Sequence, residues 1–348
     1  MEKMHFKNGK VIYPEKLKIN NKFNIGIVGS GKVANEYAKV IGSYNHSISA
    51  IVSNSFSLNA KKLIEKYKIK KHFFNFEEAI KSSPQVDGWI VCSSWHSLLK
   101  NLKISIKYNQ PTLIEKSIAI SATNLKKLIS FISKKKKKKI LIGYNRNYYD
   151  FIPLLIKNLK EVKPNIIFML LADPYSKILR KKGKKIKKYL VKYITSHWIS
   201  LIYKILTLCN IRFSLKTIKS YGGKNILDSK KIIFNLKFKK KQIPLIVCLL
   251  PDSPINTSIS FYSRRKNFIL SPIENLKIHE KMIVMKKNNQ NIYKPLKKVF
   301  KVDETFKPGF RLQYFDFIQT CVLNKKKSKY MTTIDDLVKI YEICESIK

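Results

Sequence analysis

The segment Gly29-Ser30-Gly31-Lys32-Val33-Ala34 sets two glycines and an alanine at G-x-G-x-x-A spacing, after an apolar run and before an amphipathic one. Residues of these types in this order suit a nucleotide-phosphate turn. Gly29 makes the tight turn, Gly31 lets the backbone approach a pyrophosphate, and Ala34 lets the following helix lie close on the strand. Ser30, Lys32 and Val33 then bring amides and the positive end of the helix to the phosphates. Farther along, Ser53 and Asn54 follow a second apolar run, where a carboxylate would hold ribose hydroxyls and a basic residue would accept a 2′-phosphate. Both are neutral, so either NAD or NADP fits. Ser93 and His96, with Trp95 between them, follow the run ending at Cys92 and fall at the mouth of the same crevice. Asn145, between Tyr144 and Arg146, ends the last strand of this half.

These residues need a scaffold, and the periodicity supplies one. Strand-like runs at Phe23–Val28, Ser47–Val52, His72–Phe74, Asp87–Cys92, Thr112–Glu115 and Ile140–Tyr144 alternate with helical patterns at Lys32–Ile41, Ala60–Tyr67, Glu77–Lys81, His96–Tyr108 and Ala122–Ser133. Strand–helix alternation at this spacing predicts an α/β domain with a doubly wound parallel sheet, a Rossmann fold. The run Lys134–Lys139 is expected to close the preceding helix and lead into a strand, its charge suiting a helix C-terminus.

Beyond residue 147 the pattern changes. Strand-like runs at Asn165–Ala172, Leu215–Tyr221, Lys231–Phe238, Ile243–Leu250, Ser258–Tyr262 and Met282–Met285 have few helices between them. They predict an α+β domain with an open, mainly antiparallel sheet, plus helices at His197–Leu208, Phe310–Leu323 and Ile334–Ser346. The expected organisation is a loosely structured extension over residues 1–21, a dinucleotide-binding domain over 22–147 and a substrate and oligomerisation domain over 148–348.

The chain carries 70 basic against 22 acidic residues, a formal charge of +48, yet only six of the basic residues are arginines. Readers of bases and phosphates rely on the planar guanidinium fork. The lysine excess therefore predicts a solvated basic surface and no specific nucleic-acid partner. The five cysteines are scattered without metal-ligand spacing, so neither a metal nor a disulfide framework is expected. The N-terminus lacks the apolar core of a signal peptide, and the apolar stretch near Tyr193–Cys209 is too short to span a bilayer. A cytoplasmic chain with no membrane partner is the expectation.

Taken together, Gly29–Ala34, the run Val86-Asp87-Gly88-Trp89-Ile90-Val91-Cys92 followed by His96, Glu115-Lys116, Asn145-Arg146, His197 at the head of a helix, and Gly309-Phe310 through Thr333-Ile334-Asp335-Asp336 resemble the Gfo/Idh/MocA oxidoreductases. That group includes glucose-fructose oxidoreductase and inositol dehydrogenases. The resemblance implies a Rossmann domain followed by an open sheet, NAD or NADP as cofactor, a small-molecule substrate that is a sugar, nucleotide sugar or cyclitol, and a homo-oligomer.

It also implies roles for individual residues. Glu115-Lys116 is similar to the family's E-K-P motif, whose lysine lies beside the nicotinamide and the substrate hydroxyl and helps move its proton. Here Ser117 stands in place of the proline, so a cis peptide at that bond is not expected. His197 is similar to the family's catalytic histidine, but Tyr193 and Ser200 occupy the flanking carboxylate positions. The imidazole then lacks its usual orienting partners, and Tyr193 is at most a proton donor. These departures leave open a second reading, a non-catalytic dinucleotide-binding protein acting in regulation or assembly.

Overall fold

The computed structural model describes residues 5–7, 10–12, 19–53, 57–223, 225–288, 290–325 and 328–347. Within the N-terminal extension, β1 (His5–Lys7) and β2 (Lys10–Ile12) pair as an antiparallel hairpin. Among the described residues, no helix is long and apolar enough to cross a membrane.

The strand–helix alternation then runs as the periodicity predicts. In chain order come β3 (Asn24–Val28), α1 (Lys32–Ser43), β4 (Ser47–Val52), α2 (Leu58–Tyr67), β5 (Lys71–Phe73) and α3 (Phe76–Ser82). They are followed by β6 (Gly88–Val91), α4 (Leu98–Lys107), β7 (Thr112–Ile114), α5 (Ala122–Ser130), α6 (Lys134–Lys138) and β8 (Ile140–Ile142). The six strands form one parallel sheet in the order β5-β4-β3-β6-β7-β8. Strand order reverses at the β3–β6 pair, and ligands of open α/β sheets bind outside the carboxyl ends of the strands at such a point.

One local expectation is corrected here. The lysine run does not close the preceding helix but forms α6 by itself. The preceding helix ends at Ser130, and the Ser133 side chain accepts the Lys136 N–H at 3.4 Å, capping a new helix start. Lys137 then pairs with Asp335 at 2.9 Å.

The second half opens with α7 (Ile152–Glu161), β9 (Ile166–Leu171), α8 (Tyr175–Lys182) and α9 (Ser196–Leu208). A run of strands follows: β10 (Arg212–Gly222), β11 (Lys230–Phe238), β12 (Lys241–Leu249), β13 (Ser258–Tyr262), β14 (Asn267–Leu270), β15 (Asn275–Lys287) and β16 (Gln290–Lys301). They form an eight-stranded sheet ordered β10-β11-β12-β9-β13-β14-β15-β16, antiparallel except for the β12–β9 pair. Alternation decides which face is covered. In β11, Ile232, Phe234 and Leu236 are buried while their neighbours are not. The expected architecture, a doubly wound sheet followed by an α+β unit with an open antiparallel sheet, is the one observed.

The chain ends with α10 (Phe310–Phe317), which runs on into a π-helical turn at Ile318–Val322, and α11 (Ile334–Ser346). By compactness, residues Tyr13–Tyr148 and Glu304–Glu342 form one unit, and Met1–Ile12, Tyr149–Asp303 and Ile343–Lys348 form the other. The C-terminal segment thus returns to the Rossmann unit. The reason is apolar burial: Phe310, Tyr314, Phe317, Ile318 and Cys321 share one core with Phe23, Ile25, Ile90, Leu113 and Leu141. Each such side chain contributes roughly 1.5–3 kcal/mol when removed from water.

Candidate functional site

The turn after β3 has the geometry its glycines imply. Gly29 sits at φ +111°, and a Cβ there would lie 2.8 Å from the Cys92 carbonyl oxygen. Only glycine fits both the backbone angle and the close approach of the β6 loop. Gly31 is different. It is the N-cap of α1, has no side-chain cap, and a Cβ on it would project into open space. Lys32 and Val33 form the first turn of α1, Lys32 exposed and Val33 half-buried, while Ala34 is fully buried as close helix–strand packing requires.

This turn forms one wall of a cleft of about 380 Å³. Gly29, Ser30, Ser53 and Ser93, all singled out from sequence, line it together, and Phe74 and Lys100 add an apolar wall and a cation. Hydrogen bonds hold the hydroxyls in place. Ser30 Oγ lies 3.1 Å from Ser57 Oγ, Ser53 Oγ lies 2.9 Å from His72 Nε2, and Ser93 Oγ accepts from Ser97 and Asn101 at 2.9 Å each. Asn54 lies outside the described residues. His96 is exposed, with its ring centroid 3.7 Å from that of buried Trp95. It is not among the residues lining the cleft.

Glu115 and Lys116 follow β7, again at the carboxyl ends of the sheet. The Lys116–Ser117 peptide is cis, contrary to the expectation drawn from the missing proline. The next residue is held by Tyr341, whose hydroxyl lies 2.9 Å from both the Ile118 N–H and the Ile118 carbonyl. Both Glu115 and Lys116 are half-buried. Burial pushes the Glu115 carboxyl above its usual range, opposed by the Lys307 and Lys116 charges and by a hydrogen bond from Tyr37. Asn145, buried, follows β8, and its side-chain amide donates to the Pro308 carbonyl at 2.9 Å. Gly309, at φ +81°, lets that loop close, because a Cβ there would meet the Asn145 carbonyl at 2.1 Å.

Tyr193 and His197 belong to the other unit. Tyr193 lies in a π-helical turn, Val191–Thr195, that leads into α9, and His197 is in the first turn of α9; both are half-buried. Burial raises the Tyr193 phenol further above its ordinary value, which disfavours it as a base near neutral pH. A carboxylate that sequence reading missed is nearby in the chain's own frame. Buried Asp173 accepts from Thr195 Oγ1 at 2.6 Å and from Trp198 Nε1 at 2.9 Å, so it ties down the residues on either side of His197. Its signal in the sequence was a carboxylate just past the strand predicted at Asn165–Ala172. Among the described residues, no group of histidines, cysteines and carboxylates could hold a metal ion.

Comparison with known proteins agrees with this geometry. The Gfo/Idh/MocA family model, described as an oxidoreductase family with an NAD-binding Rossmann fold, matches residues 23–144. No curated protein matches the chain in sequence. Several solved structures share its fold over nearly the whole length. The scyllo-inositol dehydrogenase of Lactobacillus casei with bound NAD(H) and scyllo-inositol is 13% identical, with a TM-score of 0.67 over 94% of this chain and 96% of that one. The myo-inositol 2-dehydrogenase of Lactobacillus plantarum is 12% identical, TM-score 0.69, over 93% and 96%. The UDP-N-acetylglucosamine 3-dehydrogenase of Acidithiobacillus ferrooxidans is 11% identical, TM-score 0.67, over 94% and 97%.

Proposed function

We propose that this chain, whose residues 23–144 belong to the Gfo/Idh/MocA oxidoreductases, is an NAD(P)-dependent dehydrogenase or reductase acting on a carbinol or ketone carbon of a sugar, nucleotide sugar or cyclitol. The observation that carries the reading is the pair of glycines. Gly29 is held where only glycine fits, and Gly31 leaves an uncovered gap before uncapped helix amides. A pyrophosphate fits that cradle, since the gap admits its oxygens to backbone N–H donors and to the helix dipole.

When bound, the nicotinamide supplies the hydride chemistry. Gly31, Lys32 and Val33 would hold the pyrophosphate, and Ser30, Ser53 and Ser93 the sugar hydroxyls of the cofactor. Oxidation of a carbinol requires a group that takes the hydroxyl proton, and Lys116 Nζ is the assigned acceptor, acting as the neutral amine and leaving the step as the ammonium. His197 has the supporting role, on a helix turn anchored by Asp173. The related dehydrogenases with scyllo-inositol, myo-inositol and UDP-N-acetylglucosamine in their names support a polyhydroxylated substrate. We further assign the protein to the cytoplasm as a homo-oligomer without a specific nucleic-acid or membrane partner. Incubating the purified chain with NAD+ and NADP+ against a panel of cyclitols, sugars and nucleotide sugars, and reading reduced-nicotinamide absorbance, tests the reading. Absence of turnover across the panel with either cofactor would count against it.

A further inference from the structure

Tyr37 occupies the middle of α1, the helix that begins at the Gly31 cradle, and it is fully buried. Its hydroxyl lies 3.0 Å from Glu115 Oε1 and 2.9 Å from Gln313 Oε1, and Gln313 is also fully buried. A phenol has one hydrogen, so it cannot donate to two oxygens at once. One neighbour must donate to it. Turning the Gln313 amide about its terminal bond puts Nε2 beside the phenol oxygen, and Nε2 as it stands meets no hydrogen-bond partner among the described residues. The contacts then form a one-way chain, Gln313 N–H to Tyr37 oxygen and Tyr37 O–H to the Glu115 carboxylate. Glu115 also accepts the backbone N–H of Lys116.

We propose that Tyr37 is a positioning residue: with Gln313 behind it, its hydroxyl holds the Glu115 carboxylate, and Glu115 in turn holds the backbone of Lys116 where the lysine serves the reacting hydroxyl. The inference rests on the proposed function for the role of Lys116. It adds a link from the helix that begins at the pyrophosphate cradle to the residue assigned to the proton. The ring of Tyr37 is held independently of its hydroxyl, 4.5 Å from the Phe310 ring, so removing the oxygen leaves the packing in place.

The charged and titratable groups acting on Glu115 are Lys307, Lys116 and Tyr37, and those acting on Tyr37 include Cys92 and Tyr148. Among them the Tyr37 hydrogen bond favours the ionised carboxylate, so its loss moves Glu115 ionisation to higher pH. The test compares the full-length wild type with Tyr37→Phe, Glu115→Gln and the double variant. In chemical denaturation without cofactor, the shifts in midpoint of the two single variants are expected not to add. In kinetics, Tyr37→Phe is expected to lower kcat about tenfold or more with KM little changed, the usual weight of a supporting hydrogen bond to a reactive group. Its acid limb is expected to move up by about one pH unit, and Glu115→Gln to remove that limb. Strict additivity overturns the proposal. So does coupling accompanied by a wild-type kcat and pH profile in Tyr37→Phe, which marks a structural contact only. If the wild type binds dinucleotide but turns over nothing, the proposed function fails, and the pH dependence of reduced-cofactor binding in the same variants decides the inference.

Discussion

The Cα of Gly29 is so close to the Cys92 carbonyl that a Cβ would sit 2.8 Å from its oxygen, whereas two residues on, at Gly31, a Cβ meets nothing within 4 Å. The two glycines of one motif therefore answer to different demands. Gly29→Ala should cost stability, roughly 1–3 kcal/mol from the left-handed backbone alone. Gly31→Val should leave the melting temperature near wild type and weaken dinucleotide binding at least about tenfold, by filling the approach to the pyrophosphate. Thermal melts and cofactor titration of both variants read the difference. Equal cofactor affinity in a folded Gly31→Val protein would contradict the cradle assignment.

Replacing Lys116 tests the proton assignment. If Lys116 takes the hydroxyl proton, Lys116→Ala should reduce turnover by about two to four orders of magnitude with little loss of cofactor affinity, the weight of a positioned acid or base. His197→Ala should cost less, since no carboxylate stands at Tyr193 or Ser200. Steady-state kinetics and reduced-cofactor binding on both variants distinguish the roles, and turnover unchanged in Lys116→Ala removes it from the mechanism.

A buried carboxyl makes stability depend on pH in a direction opposite to an ordinary salt bridge. Burial lifts Asp316 to about 6. Its folded value exceeds the unfolded one, so the folded chain holds the extra proton between about pH 4 and pH 6. The contribution of this group is complete below pH 4 and is lost as pH rises through 6. Asp316→Asn should remove that loss and stabilise the protein at neutral pH by about 2–3 kcal/mol, from roughly 1.4 kcal/mol per pH unit. Denaturation midpoints of variant and wild type from pH 4 to 8 should diverge with rising pH; parallel curves would refute the assignment.

The charge of +48 will attract polyanions without reading them. Binding to DNA or RNA duplexes should be weak, indifferent to sequence and steeply reduced by salt, as counterion release requires. Titration of two unrelated duplexes at low and physiological salt measures this. A tight complex at physiological salt that prefers one sequence would show a specific site.

Sequence alone determined the parts of this protein that depend on local periodicity. Apolar runs of four to six residues alternating with amphipathic stretches specify a parallel sheet, and a glycine pair between strand and helix specifies the turn, because each is a property of neighbouring residues. In the second sheet, two strands escaped for reasons equally local. β14 (Asn267–Leu270) is only four residues long, too short for its alternation of Phe268 and Leu270 to stand out, and β16 (Gln290–Lys301) is exposed along most of its length and shows no buried face; pairing with β15 defines β16.

What only the tertiary structure decided is what each buried face meets. The apolar stripe of Phe310–Phe317 announced a helix, but its membership in the Rossmann core rests on side chains nearly 300 residues away. The amphipathic pattern of α1 carries no sign that Glu115 and Gln313, 78 and 276 residues distant, meet the Tyr37 hydroxyl. Asp173 likewise became an anchor for α9 through Thr195 and Trp198. Hydrophobic period tells a residue to be inside. It carries no record of which polar partner waits there, since that depends on how whole elements dock.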